Sequence, residues 1–580
     1  MLNKIHRWLL IILTFLYANT LFAQINLNIE VHGVNSEIEG NIRLYLSIEQ
    51  QKEHELLSEG RLRHIHKKAP QEITLALQPF GYYRPKIKSE LIKIAAQQWK
   101  AIYSIDLGPP LPIAEFNINL SDEIRSDTEF QKLISEHSLY KGETFNHIKY
   151  EDIKTRLANL AAERGYFDAR FIEHRVEVNL KTYEVRVYLN YDGGKRYRFG
   201  EVALIQDVLD PNLLQRYVSF KVGAPYTYSE LLNLQQALND SNYFESVEVS
   251  SGQADVERNE IPISVKLTPR KRNRYSIGVG YGTDTGARTK FGWDIPRVNK
   301  NGHRLNTEAK ISKIGYSVVA QYRVPVFNPR TDQAVYSTGV VNETTASSDS
   351  TVSTIGAALN RNLGFWRQSI ALNYQEEDFI VATDRGESKL LIPSINYSRT
   401  WGRNIIYTLD GLRFNIGLRG ASDKLLSDNS FMQLQGDIKA ITSLGESNRI
   451  ITRGRLGTTW TDNFHQLPSS VRFFAGGTQS VRGYSYQSLG PKDINGEVIG
   501  GKHLMTGSVE YEYNLSNKWG VALFYDAGNA YDNFDDEFEK GAGFGFRWKS
   551  PIGSVRVDFA SAISIPGQPW RLHINIGPDL

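Results

Sequence analysis

The residues of this chain whose types and spacing could do chemistry are charged groups suited to pairing, not to bond making. Arg482 stands in the run Gln479-Ser-Val-Arg-Gly-Tyr-Ser-Tyr-Gln487, with Val481 before it and Gly483 and Tyr484 behind it. Gly476, Gly477, Gly490 and Pro491 flank the run and mark it as a loop. A guanidinium is a rigid fork of donors that fits a carboxylate in bidentate fashion, which an ammonium does not. Held inside a structure, it needs an acid waiting for it. Two stretches further on could supply one. In Gly507-Ser-Val-Glu-Tyr-Glu-Tyr513 the apolar set Val509, Tyr511 and Tyr513 leaves Ser508, Glu510 and Glu512 on the opposite face. In Val521-Ala-Leu-Phe-Tyr-Asp-Ala-Gly528 the set Val521, Leu523 and Tyr525 leaves Phe524, Asp526 and Gly528 there. The expectation is that the loop folds inward and Arg482 forks onto Glu510 and Asp526. Gly483 would let the backbone turn tightly and Tyr484 would wedge against the inner wall. The competing reading is an arginine on an exposed loop near two unrelated acids.

Other chemistry is poorly served. The twelve histidines form neither a metal spacing nor a triad with a serine. Gly278-x-Gly280-x-Gly282 lies in a strand pattern and lacks the helix and lysine of a nucleotide loop. Asp535-Asp536-Glu537 lacks the spacing of a calcium loop and reads as a solvated turn. The sequence therefore points to no catalytic residue, no cofactor and no metal, and hence to a protein that is not an enzyme.

The chain has 580 residues, no cysteine and a formal net charge of +3, which excludes disulfides and gives no reason to expect nucleic acid as partner. Residues 1–23 read as a secretory signal. Lys4, His6 and Arg7 precede the apolar run Trp8 to Tyr17, and Leu21-Phe22-Ala23 offers a cleavage site. No later stretch approaches the ~20 apolar residues of a membrane helix.

Two rhythms follow. From about 25 to 270 the chain repeats itself: Gly81-Tyr82-Tyr83, Gly165-Tyr166-Phe167 and Asn242-Tyr243-Phe244 each follow a helical stretch and precede strands. Each unit reads strand, helix, helix, aromatic turn, strand, strand, and the aromatic turns read as packing. The boundaries expected are 24–112, 113–193 and 194–269 for three α+β modules. From about 275 the period becomes two, as in Tyr275-Ser-Ile277-Gly-Val279-Gly-Tyr281, Leu412–Arg419, Val555–Phe559 and Leu572-His-Ile574-Asn-Ile576-Gly577. Arg413, Arg419, Arg556 and Asp558 fall on the inner side, too many charges for a soluble core but suited to the wet lumen of a membrane barrel. At roughly 19 residues per strand and connection, residues 270–580 give an all-β transmembrane barrel of about 16 antiparallel strands. Val341–Ser350 and Leu425–Ser430 are expected as external loops.

Phe473-Phe-Ala-Gly-Gly-Thr-Gln-Ser-Val-Arg-Gly-Tyr484 resembles the lid-loop signature of the BamA-type outer-membrane assembly superfamily. The stretches Gly507–Glu510, Phe524–Gly528 and Gly543–Gly553 resemble its closing strands, and the repeated modules resemble its periplasmic POTRA domains. Three modules, with Arg196-Tyr-Arg-Phe199-Gly200 and the terminal Ile576-Gly577-Pro578-Asp-Leu580, resemble the TamA branch. The resemblance implies a bacterial outer-membrane location with the N-terminal region in the periplasm. It also implies a TamB-like inner-membrane-anchored partner on the first POTRA, unfolded outer-membrane proteins as clients, and contact with membrane lipid.

A barrel closes by pairing its first and last strands. Here the first, carrying Tyr275, Ile277, Gly278, Val279, Gly280 and Tyr281, is weakened by glycine. The last carries Leu572, Ile574, Ile576 and Gly577 and then Pro578, which has no N–H to donate. This seam is expected to be the working part, opening to template an incoming strand. The function that the resemblance implies is insertion or export of β-barrel and autotransporter-type proteins. The alternatives are a two-partner-secretion pore for one exoprotein and a lipid conduit to the outer membrane.

Overall fold

The computed structural model describes residues 25–52, 57–136, 139–402, 407–533, 535–550, 553–577 and 579. The expected signal at 1–23 and the proline at 578 lie outside these residues. The chain divides into two compact units. One comprises residues up to Glu201 with Phe220–Leu231 and Ser251–Ile263; the other comprises Val202–Ser219, Leu232–Ser250 and Ser264–Leu580.

The N-terminal half holds three small sheets, each with two neighbouring strands contributed late in its module. Strands β1 (Asn26–His32), β2 (Lys86–Ala95) and β3 (Gln98–Asp106) take the order β1-β3-β2, covered by α1 (Ser36–Tyr45), α2 (Ser47–Gln51) and α3 (Glu59–Leu77). β4 (Ile113–Leu120), β5 (Arg170–Asn179) and β6 (Glu184–Asp192) repeat it as β4-β6-β5, with α4 (Asp122–Arg125), α5 (Thr128–Ser135) and α6 (His147–Glu163). β7 (Arg198–Ile205), β8 (Phe244–Ser251) and β9 (Glu260–Pro269) take the order β7-β9-β8, with α7 (Pro211–Gln215) and α8 (Tyr228–Asp240). Asparagines start two of the helices: Asn35 accepts from the Ile38 N–H and Asn146 from the Ile148 N–H, each at 2.9 Å. The alternating apolar residues of the strands pack on the apolar helix faces. Trp99, Ala101 and Tyr103 meet Leu62, Ile73 and Leu77 in the first core; Val185, Val187 and Leu189 meet Ile153 and Leu157 in the second.

The aromatic turns do more than pack. The Gly81 carbonyl accepts from the Leu111 N–H, the Gly165 carbonyl from the Tyr197 N–H and the Tyr243 carbonyl from the Arg270 N–H, at 2.8, 2.8 and 2.9 Å. Each turn thus carries a backbone joint to the segment that follows its module. The third turn is reinforced. The Tyr243 hydroxyl donates to the Gly302 carbonyl at 2.6 Å, and the Arg304 guanidinium lies over its ring at 4.4 Å.

Sixteen antiparallel strands, β10 to β25, form one sheet in strict sequence order. It begins with β10 (Arg274–Gly282) and β11 (Gly286–Ile295) and ends with β20 (Asn448–Trp460), β21 (His503–Asn514), β22 (Trp519–Tyr531), β23 (Glu539–Ser550), β24 (Gly553–Ala562) and β25 (Trp570–Gly577). The period-two pattern lands as its chemistry requires. Val509, Tyr511, Leu523 and Tyr525 are exposed on the outer face, while Ser508, Glu510, Glu512 and Asp526 are buried within. No described helix is long and apolar enough to cross a membrane.

One expectation needs correction. Val341–Ser350 is mostly ladder, not loop. β14 (Gln333–Thr344) and β15 (Ser348–Leu363) pair as far as Thr344 with Asp349, and only Thr345–Ser347 turn. The Thr345 hydroxyl accepts from the Ser347 and Ser348 N–H groups at 3.2 and 3.1 Å, which closes the turn without glycine. Polar side chains do not end a strand whose backbone partners continue. Leu425–Ser430 does lie outside the strands, between Ala421 and Phe431.

Replacing Tyr243 with Phe removes one buried hydrogen bond, worth about 1 kcal/mol. The expected outcome is trypsin cleavage at Arg270–Arg272 several-fold faster than in the parent chain. Unchanged cleavage would show that the ring alone holds this joint.

Candidate functional site

The connection between β20 and β21, residues 461–502, turns back into the barrel. Its base is held by Arg472, which donates to the carbonyls of Leu467, His465 and Ile499 and to Asp384 at 2.8–3.0 Å. Val481 is fully buried in a small apolar cluster with Phe473, Ala475, Tyr484, Leu489, Leu504, Ala530 and Ala562. Apolar packing therefore brings the tip of this lid into the lumen, and the next residue arrives among acids.

Arg482 is 2% exposed and Asp526 0%. The Arg482 Nε and Nη2 donate to the two carboxylate oxygens of Asp526 at 2.7 and 2.8 Å, a bidentate fork. Its Nη1 donates to Glu510 at 2.6 Å and to Asp558 at 3.1 Å, its Nη2 to the Ser508 hydroxyl at 3.3 Å. Its own backbone N–H donates to Asp526 at 3.0 Å. The guanidinium plane rests on Phe524, 3.5 Å from the ring centroid. Two glycines make the approach possible. Gly483 has φ +96°, and a β-carbon there would lie 2.9 Å from the Ala562 nitrogen of β24. A β-carbon on Gly541 would lie 2.0 Å from the Arg482 carbonyl oxygen. The Tyr484 hydroxyl donates to Glu539 at 2.7 Å, which ties the far side of the turn to β23.

The lid arginine is one end of a longer array. Arg547 of β23 donates to Glu510 at 2.6 Å, to Glu512 at 2.8 Å and to Asp558 at 2.5 Å. Glu512 also accepts from Arg449 of β20 at 2.5 Å, and Arg449 donates in turn to Asp579 at 2.6 Å. Asp579 accepts from Arg556 and from the Thr408 N–H as well. Acids and arginines thus alternate along the inner wall from the lid loop to the penultimate residue. Each buried charge has opposite charges at hydrogen-bond distance, the condition for keeping ions out of bulk water.

The seam residues are placed differently. Among the described residues β10 and β25 form no ladder: the sheet order runs from one to the other without closing. Just past the end of β10 the Thr283 N–H donates to the Ile574 carbonyl at 3.3 Å. The Ile574 N–H donates to the Thr283 hydroxyl at 3.1 Å. Tyr275, Ile277, Val279 and Tyr281 are exposed, Val279 to 84%. Gly278 and Gly280 stand opposite Lys290 and Arg288 on β11, where a β-carbon on Gly280 would meet the Arg288 Nε at 3.0 Å. Leu572, Ile574, Ile576 and Gly577 pair with Phe559, Val557, Val555 and Ser554 of β24, so one edge of β25 is satisfied.

Sequence reasoning missed Arg547, Arg449 and Asp579 as partners. Arg547 was within reach, because Phe544, Phe546 and Trp548 alternate with it and the same parity argument puts it inside. Asp579 follows the last strand, so no periodicity marks it.

Removing one member of a buried pair costs about 3–5 kcal/mol, because the other charge is left unpaired. Arg482→Met and Asp526→Asn are each expected to lower the temperature at which the barrel loses its compact gel mobility. Together they should cost less than the sum of the two. Strict additivity would show that the contact carries no coupling.

Comparison with known proteins agrees with this architecture. Residues 271–578 match the Omp85 superfamily domain, residues 28–107 the first POTRA domain of TamA, and residues 113–193 and 197–270 the POTRA repeat of surface antigens. The chain is similar to the outer membrane protein assembly factor BamA of Nitratidesulfovibrio vulgaris, 24% identical over 419 residues, 66% of this chain and 50% of that protein. It is also similar to BamA of Neisseria meningitidis, 22% identical over 458 residues, 66% of this chain and 56% of that protein. It spans little more than half the length of these relatives. The crystal structure of BamA from Haemophilus ducreyi lacking POTRA domains 1–3 shares the fold, with a TM-score of 0.67 at 19% identity, covering 80% of this chain and 99% of that one. With its POTRA modules, its sixteen-stranded barrel and its matched domain over more than half the sequence, this chain belongs to the Omp85 superfamily of outer-membrane proteins.

Proposed function

We propose that this chain is an outer-membrane assembly or translocation factor that helps insert or export β-barrel and autotransporter-type proteins. The working element is the seam between β10 and β25. The observation that carries the reading is the contrast within one sheet: among the described residues every neighbouring pair is laddered except this one. An unpaired edge displays N–H and C=O groups that can template an incoming strand by β-augmentation, and the step makes and breaks no covalent bond. Arg482 with Glu510 and Asp526 acts as the lock that holds the lid during this exchange. The modules at 24–112, 113–193 and 194–269 form a periplasmic arm, and 270–580 the barrel. A TamB-like inner-membrane-anchored protein would dock on the first module, a proposal that the similarity of residues 28–107 to the first TamA POTRA domain supports.

Two cysteines, at Tyr281 and Ile576, lie on the antiparallel register set by the Thr283–Ile574 contact, in a chain that has no other cysteine. The disulfide-locked barrel is expected to stay folded and to lose client insertion, with activity restored by reductant. Full activity of the oxidised form would exclude a lateral gate. Crosslinked pull-down of residues 24–269 is expected to recover a long inner-membrane-anchored protein. Recovery of one secreted protein instead would point to a dedicated secretion pore.

A further inference from the structure

The lid loop is bonded to both sides of the seam. On the first side, the Thr478 backbone N–H donates to Asp284 at 2.8 Å. Asp284 sits in the turn joining β10 to β11, two residues past the end of β10. On the last side, the Thr478 hydroxyl lies 3.2 Å from the Nδ1 of His573, and the Gly483 N–H donates to the Nε2 of the same ring at 3.0 Å. His573 belongs to β25 and is 1% exposed. Because Nε2 accepts from Gly483, it carries no proton, so Nδ1 carries one and donates to Thr478. One lid residue therefore touches the first hairpin through its backbone and the last strand through its side chain.

These contacts sit beside hydrogen bonds that cross the seam. Thr283, the neighbour of Asp284, makes the two hydrogen bonds to Ile574, the neighbour of His573. We infer that Thr478 is a strap across the seam, with Asp284 and His573 as its two buckles. Closure then depends on the lid as much as on the strands. Arg482 fixes the lid to β21, β22 and β24, so the strap pulls β10 towards a wall that cannot yield. Separating β10 from β25 requires Thr478 to let go of one side. The lid is thereby a regulator of the seam and not only a plug in the lumen. This inference rests on the reading of the seam as the working part, but its direct readout is seam width, which can be measured without any client.

The test uses the full chain in lipid nanodiscs, with spin labels on cysteines introduced at Tyr281 and Ile576. The distance distribution is recorded by pulsed electron paramagnetic resonance. Compact gel mobility before boiling confirms that each variant is folded. Asp284→Ala removes one buckle, and Thr478→Val removes the other contact while leaving the backbone bond. Each is expected to raise the population of separated seams about tenfold, the effect of losing one hydrogen bond of roughly 1.4 kcal/mol. Asp284→Asn, which keeps an acceptor, should restore the narrow distribution. If both folded variants keep the parent distribution, the strap does not exist. Client insertion by the same variants separates the two ideas. Wider seams with unchanged insertion would leave the strap standing and overturn the gate. Unchanged seams with altered insertion would overturn the strap and leave the gate.

Discussion

A guanidinium drawn into the barrel must meet fixed carboxylates, and the remainder of the lumen is arranged around that requirement. Arg482 satisfies Asp526, Glu510 and Asp558 together, and Glu510 and Asp558 each lean on Arg547 as well. The cost of desolvating so many charges is offset only when every one is paired in good geometry. The array is therefore intolerant: withdrawing the lid exposes three acids at once. It also fixes position, because a bidentate fork accepts one orientation. The glycines at 483 and 541 belong to the same constraint, since a side chain at either would hold the lid off its acids.

The consequence is a barrel of unequal stiffness. From β20 to β24 the strands are joined by ladders, by buried ion pairs and by the lid. Among the described residues no ladder joins β10 to β25, and hydrogen bonds cross between Thr283 and Ile574. Strain applied to such a sheet is released at its weakest pair. A rigid wall beside a soft seam suits the proposed exchange, in which an edge is lent to another chain and taken back. No nucleophile, metal or cofactor is needed for that work; hydrogen bonds are exchanged for hydrogen bonds.

Much of this was legible in the residues. Alternation placed Glu510, Asp526 and Phe524 on the inner face, because a pleated strand leaves no other choice. The aromatic turns marked three modules, though their carbonyl joints could not be foreseen from side-chain types. Arg547 obeys the same parity, since Phe544, Phe546 and Trp548 alternate with it. Asp579 and Asp284 were out of reach. One lies beyond the last strand and the other in a turn, and in both places position is set by tertiary contact alone. The 341–350 segment misled because polar composition was read as loop, whereas the ladder continues wherever backbone partners exist.

Hydrogen–deuterium exchange of the full chain in a lipid bilayer tests the central claim most directly. Amides of Arg274–Gly282 should exchange at least about tenfold faster than those of β21 and β22, whose ladders are complete on both edges. Equal protection of the first strand and of β21 and β22 would contradict the account, because the seam would then be no softer than the wall.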